Sequence, residues 1–88
     1  MELNEIERRL SLILQASAGW LPDEQLQDVI ALVRAGEPGV ALENYLTQLF
    51  EYDVTIPREV FRALRGIGEE MGIDPKYWKR LAPEGESA

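Results

Sequence analysis

The sequence predicts an all-α protein, a compact bundle of four main helices plus a short C-terminal helix. Three observations carry that expectation. Apolar residues recur three and four positions apart through four separate segments, the spacing that lines one face of a helix. Gly19, Pro22, Gly36, Pro38, Pro57, Gly72 and Pro75 punctuate the boundaries, and the connections are short. No stretch reads as a convincing strand, an internal repeat or a linker between domains.

The first helix is expected over residues 4–17. Leu3, Ile6, Leu10, Ile13 and Ser17 stand at core-facing spacing with Leu14 beside them, and Asn4 followed by Glu7 makes a capping-box start. Gly19 stops it, and Trp20-Leu21-Pro22 turns the chain into a second helix. Asp23 and Glu24 fall in that helix's first turn, where carboxylates suit the positive end of the dipole; Leu26, Val29, Ile30 and Val33 face inward, and Gly36 is the stop.

The third helix opens at Pro38, whose missing N–H costs nothing at the first helical position. Val40, Ala41, Leu42, Tyr45, Leu46, Leu49, Phe50 and Tyr52 read as an apolar arc of about 220°, leaving Glu43, Asn44, Thr47, Gln48 and Glu51 in one polar stripe. A surface helix needs about half that width, so this helix is expected as a hub gripped from several sides. By angle Asp53 falls inside the apolar arc; it caps something, pairs with a base, or marks the true end of the helix.

Pro57 breaks the chain, with Thr55 as the expected N-cap of a fourth helix carrying Val60, Phe61, Leu64, Ile67, Gly68 and Met71 on one face and Gly72 as its stop. Gly66 and Gly68 weaken that helix by up to about 1 kcal/mol each relative to alanine, which predicts close backbone packing or local softness. Asp74-Pro75 opens a short fifth helix over residues 76–81, docked by Tyr77, Trp78 and Leu81. One helical domain is thus expected over residues 1–82, with residues 83–88 as a mobile tail that has nothing to bury.

Composition narrows the function. With 88 residues, no cysteine and no histidine, the chain lacks thiol chemistry, imidazole ligands and the commonest general base, so neither an enzyme nor a cofactor or metal site is expected. No apolar run approaches the roughly 20 residues of a membrane span and the N-terminus is charged, which makes the cytoplasm the expected compartment. The formal charge of −7 is unevenly spread. Residues 1–53 hold ten acids (Glu2, Glu5, Glu7, Asp23, Glu24, Asp28, Glu37, Glu43, Glu51, Asp53) against three bases (Arg8, Arg9, Arg34). From Val54 onward six acids (Glu59, Glu69, Glu70, Asp74, Glu84, Glu86) meet six bases (Arg58, Arg62, Arg65, Lys76, Lys79, Arg80), so the whole excess lies in the first part.

Several constellations compete with this plain reading. Arg58, Arg62 and Arg65 share one face of the fourth helix, but Glu69 falls on the same stripe, which points to a salt-bridged solvated face in a protein whose field repels nucleic acid. Asp23, Glu24 and Asp28 lack the loop spacing of a calcium site. Trp20, Tyr77 and Trp78 read as lids on the core rather than a ligand cage. The polar stripe of the third helix, continued through Tyr52 and Asp53, is the sharpest feature: carboxylates beside aromatics suit a partner rich in arginine and lysine.

The run GEPGVALENYLTQLFEYDVTI over residues 36–56 resembles the central signature of the MafI-type immunity proteins of bacterial polymorphic toxin and contact-dependent growth inhibition systems. The resemblance continues through GEEMG at residues 68–72 and the Ile73-Asp74-Pro75…Trp78 step, covering most of the chain from about Leu10 to Leu81. It implies a small cytoplasmic protein that neutralises a cognate toxin, commonly a nuclease (RNase or tRNase) domain. A 1:1 complex that occludes the active site is expected, either by plugging the substrate cleft or by binding beside it so that substrate clashes. Residues common to relatives of different specificity would then hold the fold, with cognate choice in flanking positions. An acid-rich first half suits a basic nuclease, because complementary fields speed association. The expected toxin-binding residues are Asp23, Asp28, Glu43, Glu51, Tyr52 and Asp53. A competing class is an acidic helical adaptor or anti-activator that binds a cellular regulatory protein; a third, a metal-dependent hydrolase built on carboxylates, would require melting to shift with metal.

Overall fold

Asn4 starts the fold from both sides of its own peptide. Its side-chain oxygen accepts the Glu7 N–H at 2.8 Å while the Glu7 carboxylate accepts the Asn4 N–H at 3.0 Å, so the capping box read from the sequence is closed. The computed structural model describes residues 4–86; Leu3 of the expected first stripe, and Ser87 and Ala88 of the expected tail, lie outside the described residues. The chain then forms five helices: α1 (Glu5–Gln15), α2 (Asp23–Arg34), α3 (Pro38–Glu51), α4 (Arg58–Met71) and α5 (Lys76–Lys79). Among the described residues the one β-type pairing is an isolated bridge between Ala18 and Leu21. None of these helices is long and apolar enough to cross a membrane.

Three boundaries differ from the sequence reading. α1 stops at Gln15, short of Gly19: beyond it the backbone tightens into turns, with the Ser17 N–H donating to Leu14 O at 3.1 Å and the Trp20 N–H to Ser17 O at 2.9 Å, while the Ser17 hydroxyl donates to Ile13 O at 2.7 Å. α4 is preceded by Pro57 with no side-chain capping bond, so Thr55 is not the cap. α5 is a single turn ending at Lys79; Asp74 Oδ1 accepts the Lys76 N–H at 3.0 Å at its start.

α2, α3 and α4 end in one way. In each, a residue with left-handed backbone sends its N–H back to a carbonyl three residues earlier, and the next N–H reaches five back. Gly36 and Gly72 do this for α2 and α4. For α3 the residue is Asp53, with φ 57°: its N–H donates to Phe50 O at 3.1 Å and the Val54 N–H to Leu49 O at 2.9 Å. Of the three explanations open for Asp53, the helix end is the one realised.

α3 touches each of the other four helices and supplies Ala41, Leu42, Tyr45, Leu46 and Leu49 to the core. The hub is therefore real, but the enclosed arc is about 140° rather than 220°. Val40 and Tyr52 are each 48 % exposed and Phe50 is 46 % exposed. The thinnest dimension of the fold is 18 Å, room for two stacked helices and no more, so nothing is left to cover the outer flank of α3. Val40 moreover lies within the angular range of the polar stripe, between Thr47 and Glu51.

One polar link runs through this core. Ser17 and Tyr45 are both fully buried and their hydroxyls are hydrogen-bonded. Because Ser17 spends its proton on Ile13 O, Tyr45 is the donor, tying the middle of α3 to the end of α1. Burial pushes the Tyr45 phenol up to about 12; Ser17 tempers the shift, since its hydroxyl can turn toward a phenolate at the expense of Ile13.

Loss of the two partners is expected to be unequal. Ser17→Ala strands a buried phenol donor and should cost about 1 to 3 kcal/mol, whereas Tyr45→Phe should cost about 1 and the double variant less than the sum. Equal, additive losses in a denaturant cycle would contradict the link. The same phenol predicts an alkaline effect. Below about pH 10 both states keep the proton; between about 10 and 12 the unfolded chain loses it first, so stability falls as pH rises, by on the order of 2 kcal/mol. Tyr45→Phe should lack that part of the decline when unfolding is followed from pH 9 to 12.

Candidate functional site

The open flank of α3 is the floor of a shallow recess of about 490 Å³. Val40, Glu43, Asn44, Thr47, Gln48, Glu51 and Tyr52 come from α3 and its cap, Gln25 from α2, and Tyr77 from α5. Gln48 Nε2 donates to Asn44 Oδ1 at 2.7 Å, holding the two amides of the floor as a pair. Glu43 and Glu51 stand two turns apart, about 12 Å along the helix axis. No lysine or arginine is among the described residues that line the recess.

The wall contributed by α5 depends on a glycine. The Trp78 ring is packed against Gly68 so closely that a Cβ there would stand 2.5 Å from Trp78 Cζ3. That is the close backbone packing anticipated for the fourth helix, and it falls on Gly68 alone: nothing lies within 4 Å of a Cβ built on Gly66. With Trp78 seated, the same turn brings Tyr77 to the recess and Arg80 across α3. The Arg80 guanidinium lies 4.3 Å from the centroid of the Phe50 ring and its Nη2 donates to Thr47 Oγ1 at 3.4 Å. Lys76 sits 5.3 Å from the Tyr77 ring centroid.

The six residues expected to meet a toxin are not brought onto one surface. Glu43, Glu51 and Tyr52 share the recess. Asp53, turned aside by its left-handed backbone, lies instead at a second hollow of about 280 Å³ with Leu49, Phe50, Ile56, Arg80 and Leu81. Asp23 and Asp28 are both exposed on α2, but five residues apart on a helix means about 140° around it. Asp28 is about 60° from Gln25 and flanks the recess, while Asp23 faces away. Gln25 joins the lining without having been singled out by the sequence, as do Val40, expected in the buried arc, and Tyr77, expected as a lid on the core. Val40 was legible from its helical angle; Gln25 and Tyr77 depend on how α2 and α5 dock.

The basic stripe of α4 is met from an unexpected direction. Arg58 Nη1 and Arg62 Nε each donate at 2.8 Å to Glu86, and Arg58 Nη2 donates to Glu84 O at 3.1 Å. Residues 83–86, expected as part of a tail with nothing to bury, instead fold back on α4, and the Glu86 side chain keeps only 9 % of its exposure. The Arg62 hydrogen bond, then that of Arg58, holds the Glu86 carboxyl down at about 2. For these two arginines Glu86 performs the role expected of Glu69. Of the aromatic trio, Trp78 is buried, Trp20 is packed at the edge of the core and Tyr77 is half-buried on the recess. Among the described residues no group of three or more histidine, cysteine, aspartate or glutamate side chains is placed to hold a metal ion.

Comparison of the chain with protein-family models, with curated proteins and with solved structures gives no match.

Asp53 carries a conformation that glycine adopts freely, and its backbone bonds ask nothing of its side chain. Asp53→Gly is therefore expected to stabilise the fold by up to about 1 kcal/mol, raising Tm by a few degrees. A lower Tm in a thermal melt would mean that the aspartate side chain itself secures the turn.

Proposed function

We propose that this chain is an immunity protein that binds and neutralises the nuclease domain of a bacterial toxin of the contact-dependent growth inhibition or polymorphic class, with the recess on α3 as the centre of the contact. The observation that carries the reading is the coincidence of the resembling string with the open surface: the stretch from Gly36 to Ile56 that resembles MafI-type proteins supplies seven of the nine residues lining the recess, counting Val40, Glu43, Asn44, Thr47, Gln48, Glu51 and Tyr52. Charge supports it. The acidic surplus lies wholly in residues 1–53, and α4's Arg58 and Arg62 are neutralised from within, so the long-range field of the molecule attracts a basic protein and repels phosphate. Backbone strain supports it too. α2 and α4 place glycine where α3 places Asp53, which keeps an exposed carboxylate at the second hollow at the expense of an easier turn.

A nuclease's substrate cleft is cationic, so an acid-lined surface seated on or beside it would exclude the substrate. The contact residues are Glu43, Glu51 and Tyr52, with Asp28 and Asp53 at the margins; Asp23, in the first turn of α2, faces away from the recess. Complex formation is 1:1 in this reading, in the cytoplasm where the toxin acts.

The experiment is co-expression with nuclease toxin domains encoded in the same genome: rescue of cells expressing one of them supports the reading, and rescue of none overturns it. Within that complex, reversing Glu43 and Glu51 to lysine should slow association roughly tenfold or more at low salt and flatten its salt dependence, with Tm nearly unchanged. Unaltered association kinetics in the purified pair would move the interface off α3.

A further inference from the structure

The molecule already shows what the open flank of α3 does with a guanidinium. Arg80 lays its own across Phe50 at 4.3 Å and donates to Thr47 Oγ1, a planar cation on a ring with an oxygen acceptor at its edge. Thr47 is shared: it also lines the recess, whose lining includes the ring of Tyr52, 48 % exposed, and the side chain of its chain neighbour Glu51. Arg80 uses the Phe50 edge, Lys76 covers one face of Tyr77, and no described lysine or arginine lines the space between.

We propose that the recess selects arginine over lysine: it receives one arginine side chain projecting from the partner protein, stacked on Tyr52 and paired with Glu51. This rests on the preceding reading only in taking the occupant to be a protein with a basic surface. The distinction between the two cations comes from the donors and acceptors present. An ammonium is a hydrated point charge that any exposed carboxylate serves equally, and Glu24 or Asp28 would do as well as Glu51. A guanidinium presents a flat face for a ring and a fork of N–H donors for several oxygens. Tyr52, Glu51, Thr47 and the Asn44–Gln48 amide pair supply a ring and clustered acceptors within one concave surface, a set that the outer faces of α1 and α2 do not assemble.

The test uses the whole chain and two capped peptides of equal charge, Gly-Arg-Gly-Arg and Gly-Lys-Gly-Lys, titrated while backbone and side-chain amide signals are followed by NMR. The expected result is saturable shifts centred on Asn44, Gln48, Glu51 and Tyr52 with the arginine peptide, binding about fivefold or more weaker with lysine, and loss of that preference in Tyr52→Leu and in Glu51→Gln. Equal affinity for both peptides, or shifts centred on Asp23, Glu24 and Asp28, overturns the proposal. Arginine preference in a chain that fails to rescue toxin-expressing cells keeps this inference and removes the immunity reading. Rescue by a chain without arginine preference does the reverse.

Discussion

Keeping one face of α3 dry is the constraint on which the other features depend. Ala41, Leu42, Tyr45, Leu46 and Leu49 can leave water only if four helices converge on one, and α3 is the element that touches all the others. Convergence from one side is also what 83 described residues can supply: a fold 18 Å thick has two layers, and the helix at its centre must still have an outside. The recess is thus a consequence of burying the hub in a small domain. The polar strip on its floor is what a helix shows when less than half its circumference is core and the rest meets only the edges of α2 and α5.

Tyr45 and Trp78 show how that burial is made specific. Apolar faces alone would let α1 and α3 slide past one another; the Tyr45 to Ser17 to Ile13 chain of hydrogen bonds fixes their register, because a buried phenol without a partner is costly. Trp78 does the same for α5 by steric means, since only the absence of a Cβ at Gly68 lets the ring sit down. The effect on the surface is indirect. Seating Trp78 sets Tyr77 as a wall and Arg80 as a bracket, so contacts in the core determine the shape of the recess at the surface.

The parts of this arrangement that were legible in the sequence are those governed by neighbours within a turn or two. The Asn4 capping box, Pro38 at the head of α3, Gly36 and Gly72 as stops and the inward stripe of α4 are local chemistry, and local chemistry is written in order along the chain. The width of the enclosed arc on α3 was not, because angle alone does not say where the neighbours end; Phe50 stays open for want of a third layer, and Tyr52 because α3 ends at Glu51 and the chain turns away at Asp53. Ser17 was placed inward by its spacing, yet its bond to Tyr45 spans 28 residues and had no local sign. Glu86 is a similar case. A carboxylate in a short polar stretch reads as solvent-exposed, and only the fold brings it to Arg58 and Arg62, 28 and 24 residues earlier.

The energetics of the recess divide its residues by role. An exposed ion pair contributes about 0 to 1 kcal/mol, so Glu43 and Glu51 cannot by themselves hold a partner; what opposite charge supplies at that distance is faster and better-oriented encounter. Persistence of a complex comes from ring and side-chain surface that loses water on contact, and the side chains able to provide it are Tyr52, Val40 and the Tyr77 wall. The first group is set by the sequence of α3 alone, while the second includes a residue of α5 that only Gly68 and Trp78 bring into place. In the proposed complex encounter and retention are therefore separable: changes of charge on α3 would act on the first, and changes in the docking of α5, even deep in the core, on the second.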